Sequence, residues 1–304
     1  MINDLFKIER CNICNKIGLQ SKKYLELLYC KDCDLFWEKE IESKNELENK
    51  YTKFYSEKDS SRFDEKTERI INIYRYLRKK DVEKFCKKGN LLDVGFGRPI
   101  DLEIFERSGW KASGTQISKT AYINAKKRKL DVYYGELTKL NIKKKFDVIT
   151  FWHVLEHIEN PNEYIKKCGY LLNNKGILII EVPNINSFSA KISGNKWFLL
   201  DLDNHLYQFS LISLTKLLKN NNFIINKVSY FSIEQSPFSL LQTFLNLLKK
   251  ENNILFRMMK KEVKTNYLYL IFCCTLYPFV FVFSIIAATF KRGEVIKIYA
   301  ELND

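Results

Sequence analysis

At 304 residues the chain can bury a large core, and 46% hydrophobic with 28% charged residues excludes wholesale disorder. A net charge of +14 calls for an anionic partner, either nucleic acid or a membrane surface. The basic residues gather beside an apolar segment near the C-terminus rather than in an aromatic-interleaved patch. A membrane surface is therefore expected, and nucleic acid is not. Met1-Ile-Asn-Asp has no basic start, apolar stretch or cleavage site of a secretory signal. The expected location is cytoplasmic and membrane-associated, with the eight cysteines as thiols.

In chain order, residues 1–40 carry Cys11-Asn-Ile-Cys14 and Cys30-Lys-Asp-Cys33, two knuckles separated by 15 residues. Four thiolates at this spacing can close a tetrahedral Zn²⁺ site, structural because it leaves no open position. Cys86, Cys168, Cys273 and Cys274 follow no such pattern and read as ordinary buried residues. Residues 41–88 are charge-rich, with Ile70, Ile71, Ile73, Tyr74 and Leu77 on a loosely amphipathic stripe. They are expected to form a helical lead-in packed on the main domain, with no chemistry of its own.

From residue 89 to 235 strands and helices alternate. Leu91–Gly97, Lys111–Ile117, Val132–Tyr134, Phe146–Phe151, Gly176–Val182 and Phe223–Phe231 read as strands. The alternation predicts an α/β, doubly wound, mostly parallel sheet. Residues 236–291 form an apolar insertion. Tyr267–Phe290 carries 24 residues without a charge, and a basic stretch at 249–264 precedes it. Pro278 lies near the middle and predicts a helical hairpin that dips into the membrane and returns. Residues 292–304 hold a last strand, Gly293–Ala300, whose alternation resembles an edge strand.

The chemistry concentrates in Lys145–Pro161. An apolar strand ends there in His153, Glu156 and His157, spaced to share one face of a helix begun near 153. Two of the chain's three histidines are in this stretch. Ligand chemistry in open α/β sheets sits at such strand ends. Asp93-Val-Gly-Phe-Gly97 adds glycines where a backbone must approach a ligand closely. A dinucleotide fingerprint would need glycine at 100, which is Ile100.

The order of these pieces resembles class I S-adenosylmethionine-dependent methyltransferases. The matching stretches are Leu92–Gly97, Gly114–Ser118, Gly135–Leu137, Phe146–Ile158, Leu171–Asn184 and His205–Ser210. The resemblance implies a Rossmann-like methyltransferase sheet over 89–235, completed by 292–304 across the apolar hairpin. It also implies S-adenosyl-L-methionine as cofactor. Asp93, Gly95 and Gly97 would line its methionine part, Gln116 would face the ribose, and Glu136 and Leu137 would border the adenine. Phe151, Trp152 and His153 would close the pocket beside the sulfonium. Gln116 stands where the family usually has an acid, and its single acceptor predicts a looser grip. The cysteine knuckles and late apolar segment are common in a bacterial branch that modifies surface polysaccharides and lipid-linked glycans.

Transfer to a hydroxyl requires a base, and His157, Glu156 and His205 are the candidates. For Glu156 and His157 the alternative is that they only orient the strand–helix junction. His153-Val-Leu-Glu-His157 also resembles the Glu-x-x-Glu-His motif of metal-dependent methyltransferases, such as those of ubiquinone synthesis and plant small-RNA methylation. Here His153 replaces the first Glu, and His205 would be a fourth ligand. In the insertion 185–209, Trp197, Phe198, Tyr207 and Phe209 with Asp201 and Asp203 either stack on a sugar or form a lid's own core. The expected function is methylation of a glycan, lipid-linked or small-molecule acceptor at the cytoplasmic membrane face. The alternatives are a quinone-type O-methyltransferase and a non-catalytic membrane-bound scaffold.

Overall fold

The structure, a computed structural model, describes residues 6–41, 65–248 and 251–303. Lys249, Lys250 and most of the 41–64 part of the expected lead-in lie outside the described residues. The chain begins with short strands β1 (Phe6–Lys7), β2 (Leu19–Gln20), β3 (Leu27–Cys30), β4 (Leu35–Glu38) and β5 (Glu40–Ile41). Helix α1 (Glu65–Glu83) follows. Next come β6 (Asn90–Val94), α2 (Ile100–Arg107), β7 (Lys111–Gln116), α3 (Lys119–Lys127), β8 (Asp131–Tyr134) and β9 (Phe146–Trp152). The second half contains α4 (Pro161–Leu171), β10 (Leu172–Pro183), α5 (Phe188–Ser193), β11 (Tyr207–Gln208), α6 (Leu211–Asn220) and β12 (Phe223–Ser229). Helices α7 (Ser236–Leu248), α8 (Ile254–Met259) and α9 (Tyr267–Thr289) then lead to β13 (Val295–Leu302).

The main sheet has seven strands in the order β12-β13-β10-β9-β6-β7-β8. Strands β10, β9, β6, β7 and β8 are parallel, and β13 runs antiparallel to both neighbours. Parallel strands covered on both faces must be apolar throughout. Accordingly Leu91, Leu92, Val148, Ile149, Phe151, Ile179 and Ile180 are all fully buried. Local signals fix the helix starts: Ser118 accepts from the Ala121 N–H, and Ser210 and Ser213 form a capping box before α6.

Four expectations change. Strand β13 is interior rather than an edge, and its alternation arises because Lys297 is accommodated inside the sheet by ion pairs. In α1 the stripe is partly inverted: Ile70, Ile73 and Leu77 are exposed, whereas Glu68, Lys79 and Val82 are buried. The charged side chains turn inward because they find partners there: Arg75 and Arg98 meet Glu68, and Arg78 meets Asp101. Cys274 is exposed on α9, whereas Cys168 and Cys273 are buried. The helical insertion precedes the last strand, but Pro278 lies within one continuous helix and is not its turn. Helix α9 instead packs against α7. A proline that ends helices in water is tolerated where apolar surroundings keep the remaining backbone bonds intact. At about 1.5 Å per residue, α9 is about 34 Å long. Its apolar stretch has a mean hydropathy of 2.4 and is only 17% buried.

Candidate active site

Strand β6 lies between β7 and β9, so the chain leaves its C-terminal end toward one side while β9 occupies the other. This switch point opens a crevice at the strand ends. Gly95 and Gly97 there have φ of +69° and +57°, a conformation that a side chain disfavours. A Cβ on Gly95 would sit 2.9 Å from both γ-methyl carbons of Val154. The glycine turn therefore abuts the loop that carries Glu156 and His157. Asp93 is buried, its Oδ1 accepting from Thr150 Oγ1 at 2.7 Å, and burial pushes its carboxyl up to about 7.

The other cofactor candidates flank this turn. Gln116 ends β7, but its Oε1 accepts from the N–H groups of Ile117 and Ser118 at 2.9 and 3.1 Å. Its acceptor is thus engaged locally, and the side-chain amide remains to face a ligand. Leu137 is buried, while Glu136 pairs with Lys139 at 2.8 Å. Trp152 is packed by Arg78, 4.8 Å from the ring centroid, and its buried Nε1 has no hydrogen-bond partner. An orphaned donor beside a left-handed glycine turn at a switch point fits a cofactor with polar edges.

The second half of the site begins where β9 ends. Residues 155–157 form a single 3-10 turn rather than a longer helix, and His153 has φ +53°. The backbone N–H of His153 still donates to Glu181 O at 2.9 Å, so the residue continues the strand before the chain kinks. The expected common helical face therefore does not form, and the convergence is tertiary. His153 lies between two carboxylates, with Nδ1 3.3 Å from Glu156 Oε1 and Nε2 3.3 Å from Glu181 Oε1. Burial alone would depress its basicity, but the two carboxylates outweigh it and lift the imidazole to about 9.

Glu156, His157 and His205 offer ligand atoms that all lie within 4.8 Å of one another. His157 Nδ1 is 2.7 Å from Asn204 O, and His205 Nδ1 is 3.0 Å from Leu199 O. A carbonyl only accepts, so each Nδ1 carries a proton, and in the neutral tautomer Nε2 is the free acceptor. Both carboxylate oxygens of Glu156 are buried and lack a well-aligned hydrogen bond, with His153 and His205 as ion-pair neighbours of Oε1. Burial and then His157 push His205 down to about 4, which keeps it neutral. Two imidazoles and a carboxylate converging in this way fit a proton acceptor set, and equally a divalent ion of the borderline transition series. His153 is outside that set because Glu181 holds it.

Residues without an assigned role in the sequence complete the site. Lys297 Nζ lies 3.0 Å from Glu181 Oε2 and 3.3 Å from Asp81 Oδ2. Ser232 Oγ donates to Glu181 Oε1 at 3.0 Å. Burial would raise the Glu181 carboxyl, but Lys297, His153 and Arg78 hold it well below the usual range. The available signal was a charge, Glu181 or Lys297, set within the apolar run of each of two strands. Arg78, from the lead-in given no chemistry, gave no comparable signal.

The lid aromatics divide differently. Trp197, Tyr207 and Phe209 are buried, and Phe198 packs against Phe238 and Phe256. They form core, not a stacking platform, while Asp201 and Asp203 remain on the surface. Cys11, Cys14, Cys30 and Cys33 place their sulfurs within 4.8 Å of one another, with Cys14 and Cys30 at 3.5 Å. Tetrahedral zinc at about 2.3 Å from each sulfur sets neighbouring sulfurs roughly 3.8 Å apart, so the cluster fits the ion. Burial above all, with the neighbouring sulfurs, pushes the Cys11 thiol up to about 11. A bound cation would offset this and hold the group as thiolates.

A family model described as a methyltransferase domain matches residues 63–228. The ubiquinone biosynthesis O-methyltransferase of Pelagibacter ubique (strain HTCC1062) is 30% identical over 169 residues, covering 52% of this chain and 70% of that protein. The ubiquinone biosynthesis O-methyltransferase of Bradyrhizobium sp. (strain ORS 278) is 26% identical over 167 residues, covering 51% of this chain. The match spans 65% of that protein's length, less than two thirds. A chain in the complex between the Haloferax volcanii Trm112 methyltransferase activator and a methyltransferase superimposes with a TM-score of 0.53. It is 9% identical and covers 84% of this chain and 98% of that one, a likeness of fold. With more than half its length matched by the family model, the chain belongs to the S-adenosylmethionine-dependent methyltransferases.

Proposed function

We propose that the protein transfers a methyl group from S-adenosylmethionine to a hydroxyl of a lipid-linked or other membrane-associated acceptor at the cytoplasmic membrane face. The observation that carries this reading is the abutment of the glycine turn at Gly95 with the loop bearing Glu156 and His157. The cofactor supplies an electrophilic methyl on a sulfonium. Asp93, Gly95, Gly97, Gln116, Glu136, Leu137, Trp152 and His153 would hold it in the crevice. His157, less buried than His205 and with Nδ1 held by Asn204 O, would take the acceptor's proton at Nε2 as the oxygen–methyl bond forms and the sulfonium–methyl bond breaks. His205 and Glu156 orient it and stabilise the imidazolium that results.

The membrane part of the reading rests on α9 and its connections. Both β12 and β13, which flank the insertion, lie in one sheet, so the chain enters and leaves it on the same side. Phe281 and Phe283 meet Phe231 and Phe188 of the main domain. These contacts support a helix lying along the bilayer surface with its exposed face in the acyl region, rather than one crossing it. Arg257, Lys260, Lys261 and Lys264 precede it and suit anionic headgroups. Glycans on such a lipid carrier, or a lipid-soluble quinone-like phenol, are both acceptors of this kind. The quinone-like choice is favoured by the ubiquinone O-methyltransferases among the relatives.

A second reading follows from the convergence of the buried Glu156 carboxylate with His157 and His205. A divalent ion held by Glu156, His157 and His205 would lower the acceptor hydroxyl's pKa, in place of a histidine base. Tritiated cofactor incubated with the protein and membrane extract tests the main reading. Label should enter the lipid-extractable fraction, and binding without transfer to any fraction would leave only a scaffold.

A further inference from the structure

The cysteine module is bonded to the lid and to the start of α4, segments that border the candidate base cluster. The second knuckle, Cys30 to Cys33, is the turn joining β3 to β4. Strand β4 then takes β11 as its outer partner, pairing Trp37 with Tyr207 and Phe36 with Gln208. The Glu38 N–H also donates to Leu206 O at 3.0 Å. His205 therefore sits immediately before a strand whose only sheet partner among the described residues is the cysteine hairpin.

Further bonds reach the rest of the lid. Tyr24 OH and Lys23 Nζ both donate to Ala190 O at 3.1 Å. Tyr24 shares a buried cluster with Ile185, Ala190, Trp197, Leu199 and Leu200. Leu199 supplies the carbonyl that holds His205 Nδ1. Asp34, next to Cys33, accepts from Asn186 Nδ2 and, through its carbonyl, from Ser210 Oγ, both at 2.8 Å. In the first knuckle, Asn12 Oδ1 accepts from the Asn162 N–H at 3.3 Å, and its Nδ2 donates to Asn160 Oδ1. These contacts cap the start of α4, the helix that follows His157. By contrast, among the described residues none of the module's hydrogen bonds or strand pairings reaches β6, β7 or the glycine turn.

We propose that the four-cysteine module is a metal-held clamp on the acceptor half of the site. The ion fixes the β3–β4 hairpin. The hairpin fixes β11 and the Leu199–Leu206 segment, and these place His205 over Glu156 and His157. Tyr24, Asp34 and Trp37 are thus positioning residues. The cofactor half stands without the clamp. The clamp deepens the methyltransferase reading, since it matters for transfer only if His157 and its neighbours do the chemistry.

Hydrogen exchange on the full chain, with and without zinc removed by chelator, tests this. Exchange in peptides covering 185–210 should rise on the order of tenfold or more. Peptides of β6 and β9, and affinity for S-adenosylmethionine, should not change. Zinc added back should restore protection. Unchanged lid exchange in metal-free protein would overturn the clamp, as would loss of protection throughout the central sheet. Should the zinc-free protein unfold, Tyr24→Phe with zinc retained gives the same answer, because it removes one lid bond only. It should loosen 185–200 and lower kcat without moving the cofactor KM. Tyr24→Phe that leaves both lid exchange and kcat at the wild-type level also overturns the clamp. If the lid loosens while transfer persists, the clamp stands and the assignment of the bases fails. If His157→Ala abolishes transfer but zinc removal leaves the lid protected, the clamp fails alone.

Discussion

Lys297 Nζ lies 3.0 Å from Glu181 Oε2, tying the last strand to the strand that ends beside the site. Both side chains are almost fully buried, so removing one takes from the other its nearest opposite charge and leaves weaker compensation, from His153 for Glu181 or Asp81 for Lys297. Lys297→Met should cost about 3 kcal/mol of unfolding free energy. Adding Glu181→Leu should recover part of that loss, because the buried carboxylate that lost its lysine is gone. Urea unfolding of the two variants checks this, and additive losses would show that the pair is not coupled.

Gly95→Val should abolish cofactor binding while the zinc content stays at about one per chain. The substitution forces a branched side chain into φ +69° and against Val154. Isothermal calorimetry reads the result, and wild-type affinity would place the cofactor elsewhere.

Glu294 gives a pH signature away from the site. Its carboxyl accepts from Ser189 Oγ at 2.5 Å and Trp197 Nε1 at 3.1 Å, and burial pushes it from 4.5 up to about 7. A value raised in the folded state means the folded protein retains a proton that the unfolded chain has released. The contribution to stability is present below pH 4.5 and is lost as pH rises through 7. Glu294→Gln removes that loss and should gain on the order of 3 kcal/mol relative to wild type between pH 4.5 and 8. Thermal unfolding across that range measures it. A constant offset between the two proteins would contradict the assignment.

The apolar face of α9 should bind bilayers. Phe279, Val282 and Ile286 are exposed on it, and changing all three to Asp should release the protein from anionic vesicles. Cosedimentation with such vesicles, compared in low and high salt, separates this apolar contribution from that of the basic residues.

How much the sequence disclosed depends on whether a signal was local. The glycine turn, the apolar run of β9 and the two cysteine knuckles are each written in consecutive residues, and all three stand where the patterns put them. His205 joined the candidate set by residue type and by its place in the stretch His205–Ser210 that resembles the family, with no spacing to tie it to Glu156 and His157. Its place is fixed by β11 pairing with β4, a contact across more than 160 residues. The inward-facing charges of α1 ran against its hydrophobic pattern because their partners, Asp101 and Glu234, come from distant segments. Pro278 misled in the opposite direction: the local rule for proline predicted a break, whereas Pro278 lies inside one continuous helix whose other backbone bonds carry on past it.

The base cluster carries the central claim, and single-turnover transfer at saturating labelled cofactor tests it most directly. Wild-type protein, His157→Ala and Glu156→Gln should bind the cofactor equally well. Transfer into the lipid-extractable fraction should then fall by roughly 10² to 10⁴ in the two variants. Repeating the wild-type reaction with a chelator that spares the zinc separates histidine base from metal ion. Undiminished transfer by His157→Ala, with cofactor affinity unchanged, would contradict the account.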